Sequence, residues 1–133
     1  MNRRGFLSCA LCAAGGLTAT AVETPTPASI TRTVLQRTEF PGDKMVSVLI
    51  SAEVPPNSVV ARHTHPGLES GYLTVGGGML SIKGQPDRAM KAGDSYQVPP
   101  DTPHMFRNDG EKTVIVGMFV VEKDKPLATP APE

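Results

Sequence analysis

Turn-forming residues interrupt this chain so often that long helices have no room to form. Pro55-Pro56-Asn57, Pro66-Gly67, Gly76-Gly77-Gly78, Lys83-Gly84-Gln85-Pro86, Ala92-Gly93-Asp94, Pro99-Pro100 and Asn108-Asp109-Gly110-Glu111 break residues 45–121 into short pieces. Proline lacks an amide donor and glycine favours left-handed backbone, so both punctuate regular structure. The pieces between are rich in β-branched residues. They predict strands over 45–54, 59–65, 69–75, 79–82, 88–91, 95–98, 103–107 and 113–121, with another around 33–40. In 45–54, Val46, Val48, Ile50, Ala52 and Val54 share one parity, the period of a strand with one buried face. Residues 113–121 alternate poorly, so both faces of that strand should be covered. Many short strands without helical periodicity predict an all-β sandwich or barrel.

The chain has 133 residues, which bounds it to one domain. Residues 1–21 read as an export signal. Asn2-Arg3-Arg4-Gly5-Phe6-Leu7-Ser8 is similar to a twin-arginine pattern, an apolar stretch follows, and Ala19-Thr20-Ala21 offers a cleavage site. That stretch is shorter than the roughly 20 residues a membrane span needs, so no membrane association is expected after cleavage. The expected location is periplasmic or secreted. Residues 22–30 read as a flexible leader, 31–122 as the folded domain and 123–133, with Pro126, Pro130 and Pro132, as a disordered tail. Cys9 and Cys12 both lie in the signal, so the exported chain could form no disulfide. Without Arg3 and Arg4 the net charge is −2 and no basic patch is left, which argues against a nucleic-acid partner.

All three histidines fall into one pattern. His63 and His65 alternate on a strand and so face the same way. Pro66-Gly67 turns the chain, and Glu69 begins the next strand, where a hairpin can bring it beside the pair. His104 follows about forty residues later. Three imidazoles and one carboxylate suit a first-row divalent metal.

These segments resemble the two motifs of the cupin superfamily. Asn57, His63, His65, Glu69 and Gly76 fall at the first motif's spacing, with Asn57 in place of a Gly. Gly93, Pro99, Asp101, His104 and Asn108 fall at the second's, with Asp101 in place of a Gly. Asn and Asp are the residues that best tolerate positive φ after Gly, so both departures are mild. The resemblance spans roughly residues 45–121. It implies a double-stranded β-helix (jelly-roll) barrel and a divalent metal held by His63, His65, Glu69 and His104. Manganese or iron is favoured; nickel, zinc and copper are possible. It does not specify a reaction, because cupins include dioxygenases, isomerases, decarboxylases, sugar binders and storage proteins.

In a six-coordinate ion these ligands leave about two open positions, as chemistry or ligand capture requires. Strand parity puts Ala61, Leu73, Val75 and Phe106 on the ligand face, with Leu80 and Ile82, or alternatively Met79, and with Tyr96 or Gln97. Tyr72, Arg62 and Arg107 should point away. A small, mostly apolar pocket of this kind suits a dioxygenase-like enzyme acting on a small molecule. The alternative is a metal-bearing module that binds or senses a small ligand without turnover. Exposed edge strands in so small a domain favour a homodimer, with the strand around 33–40 and the last strand as candidate edges.

Overall fold

The computed structural model describes residues 29–133. The predicted signal (1–21) and most of the predicted leader (22–30) lie outside them. Ten strands and no helix make up the described chain: β1 Thr31–Glu39, β2 Met45–Val54, β3 Ser58–Thr64, β4 Gly67–Val75, β5 Gly77–Ile82, β6 Arg88–Lys91, β7 Ser95–Val98, β8 His104–Asn108, β9 Thr113–Glu122 and β10 Thr129–Pro130. They form two five-stranded sheets ordered β1-β2-β9-β4-β7 and β10-β3-β8-β5-β6. Every pairing is antiparallel. This is the expected all-β jelly roll.

Alternation decides what each sheet buries. Val46, Val48, Ile50 and Val54 of β2 pack inward, as their shared parity predicts. One cluster gathers Val46, Val48 and Ile50 with Phe119 and Val121 of β9. The other gathers Val54, Leu73, Leu80, Ile82, Met90, Val98, Phe106 and Ile115. Burying a side chain of this size contributes roughly 1.5–3 kcal/mol. Buried polar residues tie the ends. The Asn108 amide faces the carbonyls of Val54, Pro55 and Glu111 at 3.1, 3.0 and 2.7 Å, joining the end of β8 to the β2–β3 turn.

The turns follow their chemistry. Asn57 and Asp101 have φ of 53° and 55°. Both positions need left-handed backbone, and both hold the two residue types that reach it most easily without being glycine.

Three expectations need correction. The last strand is not an edge: β9 sits at the centre of its sheet, fully paired with β2 on one side and β4 on the other. Its poor alternation reflects a half-buried outer face, where Val114, Val116 and Val120 lie. The predicted edge around 33–40 is indeed one, since β1 ends that sheet. Residues 123–133 are not a loose tail either. They fold back along β3, with Thr129 opposite Thr64 and Pro130 opposite His63. Proline composition argued for disorder, but proline is compatible with an edge strand, where its missing donor costs nothing. The third correction concerns strand parity, which two irregularities reverse. Between Val60 and His63, β3 carries one more residue than β8 opposite it. Ala61 is therefore exposed and Val60 turns inward, while Arg62 is half-buried with its Nε enclosed. A similar shift between Leu73 and Val75 turns Val75 out to 47% exposure.

Candidate metal centre

The bulge in β3 brings His63 directly opposite His104, the first residue of β8. His65 lies just past the end of β3. Its backbone carbonyl accepts the Asp101 amide at 2.9 Å, so the left-handed turn of the second motif braces the first. Glu69 points inward from β4, flanked by Phe119 of β9 and Val98 of β7. The ligand atoms of His63, His65, Glu69 and His104 all lie within 4.8 Å of one another. His65, Glu69 and His104 are buried.

Ring orientation settles what these atoms offer. The Nδ1 of His63 lies 2.7 Å from the Ala61 carbonyl, that of His65 lies 2.6 Å from the Leu127 carbonyl, and that of His104 lies 2.9 Å from the Thr102 carbonyl. A carbonyl only accepts, so each Nδ1 carries the proton, and the neutral tautomer of each ring presents a bare Nε2. Those lone pairs converge. His63 Nε2 and His65 Nε2 are 3.1 Å apart, and Glu69 Oε2 is 3.1 Å from His65 Nε2 and 2.9 Å from His104 Nε2. Despite these separations, Glu69 Oε2 and His104 Nε2 are buried without a hydrogen-bond partner. Four lone-pair atoms facing one another repel unless a cation sits among them, so the donor set fits a divalent metal.

Electrostatics keep the donors ready. Burial pulls His63 from 6.5 down to about 4, so it stays neutral at physiological pH. Burial alone would raise Glu69. The hydrogen bond from Tyr96 opposes it by favouring the ionised carboxylate. Tyr96 donates its hydroxyl to Glu69 Oε1 at 2.7 Å. Burial, then the neighbouring carboxylate, pushes that phenol well above its usual value and keeps it a donor.

Above the four donors lies a cavity of about 110 Å³. Val60, Leu80, Phe106, Ile115 and Phe119 form much of its wall, and among the described residues Arg32 is the one permanent cation in the lining. Glycine makes the space. A Cβ on Gly71 would fall 2.2 Å from the Tyr96 ring, and one on Gly117 would fall 2.9 Å from the Phe119 ring.

Of the residues predicted to face the ligands, Phe106, Leu80 and Tyr96 line the cavity. Leu73 and Ile82 are buried in the core beside it, Met79 is half-buried away from it, and Gln97 points out to Ser70. Tyr72 and Arg107 face outward as predicted. The unpredicted contributors include Arg32, Ile50, Ala52, Gly117, Leu127 and Ala128. The inward parity of Ile50 and Ala52 was visible in β2. Nothing in the sequence pattern points Leu127 at the site.

A cupin domain family model matches residues 50–121, more than half of the chain. Comparison with curated proteins returns no match. Among solved structures, the chain is similar to a protein with a double-stranded β-helix domain from Klebsiella pneumoniae: TM-score 0.63, 21% identity, 83% of this chain and 90% of that one. It is similar to a DMSP lyase from Ruegeria pomeroyi, with TM-score 0.62, 17% identity, 77% of this chain and 51% of that one. It also resembles a polyketide cyclase from Streptomyces resistomycificus, with TM-score 0.59, 22% identity, 78% of this chain and 72% of that one. At these identities the structural likeness speaks for the fold alone. The family match includes all four site residues, and the chain belongs to the cupin domain family.

Proposed function

We propose that this protein is an exported, metal-dependent enzyme of dioxygenase-like type, acting on a small and largely apolar molecule. The observation that carries the reading is the convergence of four donor atoms within 4.8 Å of one another, Glu69 Oε2 and His104 Nε2 among them buried without a hydrogen-bond partner, beneath an apolar cavity. A bound first-row divalent metal, manganese or iron, would supply Lewis-acid and redox chemistry there. His63, His65 and His104 would hold it as neutral donors, and Glu69 would hold it through Oε2. One carboxylate against a dication leaves a net positive centre, which attracts an anionic donor group on the substrate. The hydrophobic wall excludes water and strengthens that attraction. Tyr96 fixes Oε1 so that Oε2 faces the centre. Arg32 favours a negative charge on the substrate away from the metal.

Anaerobic reconstitution with Fe(II) or Mn(II), followed by oxygen-uptake assays on catechols, flavonols, diketones and thiols, tests this reading. Oxygen consumption that vanishes in Glu69→Gln supports it. Ligand binding without turnover across that panel supports the second reading, a binding module. One observation favours that alternative: among the described residues, the cavity lining has no carboxylate besides Glu69 and no lysine to serve as a general base.

The proposal includes export through residues 1–21 and a homodimer formed through β1. A twin-arginine route carries folded proteins, so the cytoplasm would choose the metal before the periplasm could offer tighter-binding copper or zinc. Replacing Arg3 and Arg4 by lysines should leave loaded precursor in the cytoplasm. Copper in protein exported with the unmodified signal would refute this order of events.

A further inference from the structure

We infer that the segment from Leu127 to Ala131 is a working part of the metal centre, with the Leu127 carbonyl as the positioning group for His65. This inference rests on the metal site proposed above and assigns a role to chain that composition alone marks as a trailing end.

Two of the three imidazoles are oriented locally. His63 donates to Ala61 and His104 to Thr102, each two residues away in the same stretch of chain. His65 alone depends on a distant partner, 62 residues on, and its bond is the shortest of the three at 2.6 Å. His65 is buried, so water has little access as a substitute acceptor.

Several contacts hold the carbonyl in place. The amide of Glu122 bonds to Pro66 at 3.0 Å and that of Lys123 to Lys44 at 2.9 Å, which directs the chain away from β9. Leu127 then packs on the cluster of Val46, Val48, Ile50, Phe119 and Val121. Beyond it, Thr129 and Pro130 pair with β3, and the Ala131 amide bonds to the Arg62 carbonyl at 3.0 Å. The strap is fixed on both sides of Leu127. Leu127 and Ala128 also form part of the cavity wall.

The chemical consequence follows from tautomerism. With the strap docked, the His65 proton stays on Nδ1 and Nε2 is free for a metal. Without that acceptor, the proton can move to Nε2 and bond to Glu69 Oε2, only 3.1 Å away. That bond would occupy two of the four donors at once. Binding free energies are reciprocal, so metal binding should tighten the strap just as the strap tightens metal binding.

The test compares the full chain with a variant ending at Pro126, both folded without metal and labelled with ¹⁵N-histidine. The full chain should show His65 protonated on Nδ1. The shortened chain should show proton density on Nε2 of His65 while His63 and His104 keep their signals. Titration with Mn(II) alone should give an affinity about 10–100-fold weaker than the full chain's. A folded shortened chain that keeps the His65 Nδ1 proton and the original Mn(II) affinity would overturn the inference. If shortening prevents folding, Leu127→Ser in the full chain replaces it, since it removes the apolar anchor and keeps every residue downstream. The same histidine shift is expected, and its absence would be equally contrary. Failure of the full chain to bind Mn(II) would refute the metal site, whereas the histidine signals report on the strap by themselves.

Discussion

Tyr96 and Glu69 sit on neighbouring strands, two residues apart in register, and the Tyr96 hydroxyl closes onto Glu69 Oε1 at 2.7 Å. The bond needs Gly71, because any side chain there would collide with the phenol ring. One carboxylate oxygen is thereby committed to the protein and the other left for a cation. Tyr96→Phe should weaken metal binding by about 10–100-fold, with the ring still filling its place. Calorimetric titration with Mn(II) checks this, alongside a melt confirming that the variant is folded. Unchanged affinity would remove Tyr96 from the centre.

The ligand set was legible in the sequence because metal ligation and tight turns each demand specific residue types at fixed spacing. The surrounding wall was less so. A β-bulge is one inserted residue, invisible to a period-two reading, and it exchanged Val60 for Ala61. Another irregularity turned Val75 outward. Strand order is a long-range property, so nothing local distinguished β9 at the sheet centre from a strand at its edge. The strap escaped for a related reason: its proline-rich composition resembles a linker, and its docking depends on residues more than sixty positions away.

The two left-handed turns should discriminate between substitutions. Asn57→Gly and Asp101→Gly should be neutral or slightly stabilising, since φ is 53° and 55° there. Asp101→Val should cost about 1–2 kcal/mol more, the penalty of a side chain that resists this backbone. It should also loosen the amide bond to His65. Denaturant unfolding measures the difference, and equal midpoints for the Gly and Val variants would contradict the turn.

Acid should destabilise the metal-free protein. His63 has a folded pKa of about 4 against 6.5 unfolded, so the unfolded chain takes up the proton first and stability falls between pH 6.5 and 4. The melting temperature of the metal-free chain should decline steadily below pH 6.5. A melt that is flat from pH 7 to 4, or one that rises, would contradict these assignments.

All nine residues of β1 are exposed, and Val34, Leu35 and Phe40 are 59%, 45% and 45% accessible. An exposed edge strand of this length invites pairing. Sedimentation at micromolar concentration should show a dimer, and Leu35→Lys should yield folded monomer. A monomeric unmodified protein would dispose of the β1 interface.

The central claim is that His63, His65, Glu69 and His104 hold one divalent metal per chain. Its most direct test is elemental analysis of protein purified from its native compartment, beside His65→Ala and Glu69→Gln prepared identically. The account predicts one first-row metal ion per unmodified chain and a large loss in both variants. A unmodified protein free of metal, or variants that retain a full equivalent, would contradict it.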